Sequence, residues 1–197
     1  SQDSQLLHIA QSLGSSKEKV IESFDKVTVE NDLIKRKFRM LVNRFSDNMA
    51  AIVSQKATKS KSGLKIYGIY DDEIGDDYYI ALGEKSIDID PFLVYVALIR
   101  DQERKVIVFV GEESRKIIKA SRIAKEISLK LGGTGGGGTD KFAQGGGRDK
   151  SKIHDCLKNL ENLLTDILDS SEKNGERGGP KIKYLKLIQN RIKKSIF

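Results

Sequence analysis

The chain has 197 residues, with 35 Lys and Arg against 28 Asp and Glu, a net charge of +7 and 38% hydrophobic residues, room for one large domain or two small ones. A single cysteine, Cys156, excludes an intrachain disulfide, and with His8 and His154 it falls short of the about four ligands of a structural zinc site, so no metal or cofactor is expected. No run approaches the about 20 apolar residues of a membrane span, and Ser1-Gln2-Asp3 has neither region of a signal peptide, so a cytoplasmic chain without a membrane partner is expected, and its non-methionine start suggests a piece of something larger.

The first segment reads as helical. Leu6 to Leu13 has apolar periodicity, and Gly14 separates it from a run without proline or glycine from Ser15 to about Ala57. Ser15 and Glu18 have capping-box spacing, which places a helix start there. A heptad follows, with Val20, Val27, Ile34, Leu41 and Asn48 at one seam position and Phe24, Asn31, Phe38, Phe45 and Ile52 at the other. Such a helix would span about 60 Å at 1.5 Å per residue, with room for a break near Val27-Thr28-Val29. A narrow seam cannot stand alone in water. It packs either on the rest of the chain or on a second copy, with Val20, Phe24, Val27, Ile34, Phe38, Leu41, Phe45 and Ile52 as the candidate dimer interface.

Thr58 to Gly63 is a polar linker, and the expected boundaries are a helical subdomain over 1–60, a globular one over 61–170 and a tail over 171–197. Leu64 to Tyr70 alternates as a strand does. An acidic loop, Asp71 to Asp77, follows within a stretch of net charge −6 between Ser62 and Ile99. Pro91 to Ile99 is a near-continuous apolar run that predicts a buried strand, and Asp101 to Arg104 a turn into a second strand, Lys105 to Gly111. Ile117, Ile118, Ala120, Ile123, Ala124, Ile127 and Leu129 predict an amphipathic helix over Glu112–Lys130, with Arg115, Lys116, Lys119, Arg122 and Lys125 on its outer face. The fold class expected is α+β: a long coiled-coil-like helical part, then a small α/β part.

Residues 132 to 147 hold nine glycines, in two runs around Phe142-Ala143-Gln144, and no hydrophobic core can be made from them. The plain reading is a flexible linker. The alternative is a loop whose exposed amides form a concavity for an anion. No Gly-Lys-Ser/Thr follows at P-loop spacing. A helix from Asp149 to about Ser170 comes next, with Ile153, Cys156, Leu157, Leu160, Leu163, Leu164, Ile167 and Leu168 apolar. After a Gly- and Pro-containing linker, Lys181 to Phe197 carries six bases and no acid with isoleucines on one face, which suits an RNA-binding helix, a docked helix or a membrane-surface helix. His8 and His154 have no nucleophile or metal cluster beside them, so no catalytic residue is assigned.

The order of these elements, with Gly132-Gly133-Thr134-Gly135-Gly136-Gly137-Gly138 and then Ala143-Gln144-Gly145-Gly146, resembles the C-terminal domain of alanyl-tRNA synthetases, of the DHHA1 family. Many members carry Arg-Pro after the glycine run, where this chain has Thr139-Asp140. The resemblance implies a homodimer built by the helical part and a globular part that binds the elbow of an alanine-specific tRNA. It also implies partnership with catalytic and editing domains of a parent ligase. The residues it nominates for RNA are Gly135, Gly136, Gly137, Gly138, Lys141, Gln144, Gly145, Gly146, Arg148 and Lys150, with Arg115, Lys119 and Arg122 on the preceding helix. Three other readings remain open: the appendage of a free-standing alanyl-tRNA editing protein, the substrate-binding half of a DHH-type phosphodiesterase, and a purely structural coiled-coil dimer. The phosphodiesterase reading needs an Asp-His-His cluster that this chain lacks.

Overall fold

A computed structural model describes residues 2–60, 63–71, 74–99 and 104–173. The chain divides into two compact units, residues 1–44 and 45–197. The sequence boundary at 60/61 lies inside the second of them, beside a strand pair.

In the first unit, α1 (Gln2–Ser12) ends at Gly14, whose φ of +59° only glycine adopts without strain. Ser16 then leads into a 3₁₀ turn, Lys17–Lys19, and on into α2 (Val20–Lys56). The expected capping box at Ser15 is therefore replaced by one tight turn, and α2 runs unbroken through Val27-Thr28-Val29. At about 1.5 Å per residue its 37 residues span roughly 55 Å. Within this unit Phe24, Val27, Ile34, Phe38 and Leu41 are exposed and Val20 is half-buried.

The second unit contains the last three turns of α2. Ser46, Ala50 and Val53 are buried there, Asp47 pairs with Lys85, and the Phe45 ring lies 5.4 Å from that of Tyr78. Phe45, nominated for the dimer seam, thus has a partner in its own chain, while Ile52 stays exposed.

A six-stranded sheet organises this unit in the order β1-β2-β3-β4-β6-β5. Its strands are β1 (Thr58–Lys59), β2 (Lys65–Asp71), β3 (Leu93–Ile99), β4 (Arg104–Val110), β5 (Gly135–Gly138) and β6 (Phe142–Gly147). β2 and β3 are parallel, and all other neighbours are antiparallel. Every residue of β3 is buried, because helices cover both faces. Parity decides which side chain goes where. Val94, Val96, Leu98, Val106, Val108 and Val110 point to one core, under α4 (Ala120–Lys130), α5 (Ile153–Lys158) and α6 (Leu160–Lys173). Tyr95 and Phe109 have the opposite parity and meet α3 (Asp76–Ile89) at Gly83, where a Cβ would come within 2.8 Å of the Tyr95 ring.

Several elements differ from expectation. The acidic loop is cut short, since α3 starts at Asp76 with two acids in its first turn, where the helix dipole favours them. The helix expected from Glu112 begins only at Ala120. Before it a 3₁₀ turn, Ser114–Lys116, is tied down by the Ser114 hydroxyl donating to the Phe92 carbonyl at 2.8 Å. The helix expected over 149–170 breaks at Asn159 into α5 and α6. The basic tail 181–197 and the turn at 101–103 lie outside the described residues.

Candidate nucleic-acid interface

The glycine-rich stretch is not a loop. It forms the β5–β6 hairpin at one edge of the sheet, with Gly136 opposite Gly145 and Gly137 opposite Gln144. The glycines are there because α4 lies directly on the strands. A Cβ at Gly145 would run into the Ser128 hydroxyl, and one at Gly136 would come within 3.0 Å of the Ala124 carbonyl carbon. Gly135 and Gly138, at φ of +129° and +148°, bracket β5 in conformations that disfavour any side chain.

Helix and hairpin also complete each other's hydrogen bonds. The Ala120 and Ser121 amides, at the start of α4, donate to the Asp140 and Thr139 carbonyls of the hairpin turn at 3.0 and 3.2 Å. At its other end α4 stops in a Schellman arrangement: Gly132, at φ +72°, donates its amide to the Leu129 carbonyl, and the Gly133 amide donates to the Ser128 carbonyl.

This architecture alters how the stretch can bind. β6 is paired on both sides, so its amides are committed to the ladders, whereas β5 is an edge strand with one side unpaired in the sheet. What the hairpin offers is a shallow depression of about 650 Å³ floored by peptide planes. Gly135, Gly136, Gly137, Gly145 and Gly146 line it, with Thr134 and the side chains of Gln144, Lys105 and Lys125. Lys105 sits opposite Gly146 in the β4–β6 register and its ammonium lies 2.5 Å from the Asp76 carboxylate. That ammonium hydrogen bond holds Asp76 below the usual carboxylate range, against the opposing effect of partial burial.

The nominated bases are distributed differently. Lys141 faces Glu84 and Asp88 at 3.6 and 4.0 Å, and Lys119 faces Asp140 at 3.4 Å. Arg115 belongs to the 3₁₀ turn before α4, with its Nε buried, and Arg122 is half-buried on α4 itself. Arg148 is exposed just past β6, Gly138 closes β5 outside the depression, and the Lys150 side chain lies outside the described ones. Lys105 was missed by sequence reasoning. Strand parity puts Lys105 on the same face as Ile107, but only the β4–β6 register, with Ile107 opposite Gln144, brings it to the glycines. His154, in α5, packs edge-on to Tyr70 at 5.6 Å, and burial pushes the Cys156 thiol up.

Residues 80–166, from α3 into α6 and including the whole hairpin, match the DHHA1 domain family. The wider chain resembles alanyl-tRNA synthetases in particular. It is 30% identical over 167 residues to the alanine–tRNA ligase of Rickettsia felis, covering 83% of this chain and 19% of that one. It is 43% identical over 75 residues to the Wolinella succinogenes ligase, covering 38% and 9%. The chain therefore spans less than a fifth of the length of these curated relatives. The solved C-Ala domain of Aquifex aeolicus alanyl-tRNA synthetase matches with a TM-score of 0.50 and 22% identity, over 56% of this chain and 98% of that domain, a likeness of fold.

Proposed function

We propose that this chain is the C-terminal module of an alanine–tRNA ligase, which holds the tRNA elbow against the glycine floor so that one tRNA can serve both aminoacylation and editing. The observation that carries this is the floor itself. Around most of a sheet, side chains stand off any approaching surface, but here bare peptide planes over two adjacent strands admit a flat group at van der Waals distance. Stacked bases at an RNA corner present such a group, and single-stranded or loop bases are where proteins recognise RNA. Lys105 and Lys125 stand beside the floor, within reach of the phosphates that flank it. The chemistry of ligation and hydrolysis belongs to other domains of the parent chain, and this module needs no cofactor. Pairing of two copies through Phe24, Val27, Ile34, Phe38 and Leu41 is part of the same reading, supported by the exposure of that seam.

Gly137→Leu tests it. A Cβ at Gly137 meets nothing within 4 Å, so the leucine stands in the floor without disturbing the fold. Binding to alanine tRNA should weaken by about tenfold or more, the effect of lost base stacking at about 1–3 kcal/mol, with the melting temperature unchanged. Footprinting of the wild-type complex should protect the elbow. Unaltered affinity in the variant, or protection confined to the acceptor end or anticodon, would defeat the proposal.

A further inference from the structure

We infer that α2 carries a second RNA-contacting surface, between Lys35 and Arg44, that takes the phosphate backbone; the inference rests on the tRNA reading above. From residue 33 to residue 46 the chain has five bases, Lys35, Arg36, Lys37, Arg39 and Arg44, and no acid, bounded by Asp32 and Asp47. All five are exposed. Among the described residues none of them has an acidic partner within 4.0 Å, whereas lysines in the globular unit such as Lys65, Lys85 and Lys141 do.

Such a run works against its own helix. Lys35 and Arg39 are four apart and Arg36 and Arg39 three apart, spacings at which like charges repel. The segment is helical nonetheless, and a polyanion laid along it would turn that repulsion into attraction. At about 100° per residue, Arg36 and Arg39 point away from the Ile34, Phe38 and Leu41 seam, so they stay accessible when a second copy covers the seam. The bases lie on both flanks and on the back of the seam. A membrane-surface helix would need its apolar stripe for lipid. A phosphate backbone needs only the cations, and it leaves the stripe to the second copy.

The test is filter binding of alanine tRNA to the full chain across a salt series, with Arg36→Gln/Arg39→Gln, a pair that preserves helix propensity and touches neither seam nor floor. Sedimentation mass and helicity should match wild type, and charge reversal to Glu at both positions should deepen the effect. The slope of log affinity against log salt should flatten by up to about 2, with affinity several-fold lower. In combination with Gly137→Leu the two losses should multiply, as losses at independent sites do. An unchanged slope in a wild type that binds, with Gly137→Leu still defective, overturns this surface alone. If the double variant instead loses association with phosphatidylserine vesicles while its RNA slope is intact, the surface is a membrane one and the inference is overturned. A wild-type chain that binds no tRNA overturns the tRNA reading and this inference together.

Discussion

Replacing Asp90 by Ala should destabilise the second unit more than most single changes. The Asp90 carboxylate is buried at the end of α3, where its Oδ2 accepts from the Ser54 hydroxyl at 2.7 Å and the Lys65 ammonium at 2.5 Å, and its Oδ1 accepts from the Phe92 amide at 3.1 Å. One side chain thereby fastens the last turns of α2, the start of β2 and the entry to β3. Truncation leaves three donors without their acceptor. Breaking a fully buried ion pair costs about 3–5 kcal/mol, but the Lys65 side chain is 28% exposed and can turn to water. About 2–3 kcal/mol is therefore expected, or roughly 4–12 °C in melting temperature for a chain of this size. Asp90→Asn should cost less, since its amide oxygen can still accept from Phe92. Burial pushes the Asp90 carboxyl up, but the donors Lys65, Ser54 and Phe92 outweigh it and hold the group below its ordinary value. A depressed pKa contributes stability above the unfolded value near 3.9 and loses it as pH falls through the folded one. Urea unfolding followed by circular dichroism should show a constant gap between wild type and Asp90→Ala from about pH 5 to 8, closing below about pH 4. A gap under about 0.5 kcal/mol at pH 7, or one that widens on acidification, would refute the reasoning.

Gly145→Val should destabilise by at least about 1–3 kcal/mol through collision with Ser128 and the α4 backbone, so its urea midpoint should fall where that of Gly137→Leu does not; equal midpoints would contradict the packing described. Phe38→Asp should halve the mass seen in sedimentation equilibrium at micromolar concentration, and a dimer that survives it would exclude the seam.

The long helix, the buried β3 strand and the α4 core positions were legible because each follows a strong local period: Phe24, Phe38 and Phe45 repeat on a heptad, and Leu93 to Ile99 is apolar throughout. α3 was not, because its acidic start resembles a loop and Gly83 sits in the middle of it, a residue that only the approach of Tyr95 and Phe109 explains. The hairpin was hidden for a related reason. Glycine has low strand propensity, and what makes strands of Gly135–Gly138 and Gly145–Gly147 is contact with α4, a tertiary fact absent from any local window. The candidate site was half legible: Gln144 and the glycines came from the motif, while Lys105 required knowing the register and Lys119 and Lys141 turned out to face acids.

The dependence of the hairpin on α4 also orders events in time. Nine glycines between 132 and 147 make this the segment with the most chain entropy to lose, and side chains on β5 contribute nothing to recover it. Strands β3 and β4 and the helices over them can assemble from their own apolar residues, but β5 and β6 gain their close packing only after α4 is seated. The hairpin is thus expected to open before β3 and β4 do. Amide exchange at those β5 glycines whose N–H groups bond β6 should report local opening well below the global unfolding free energy, while Val96 in β3 exchanges only through complete unfolding. The glycine floor would then be lost in a partly open state whose main core is still intact.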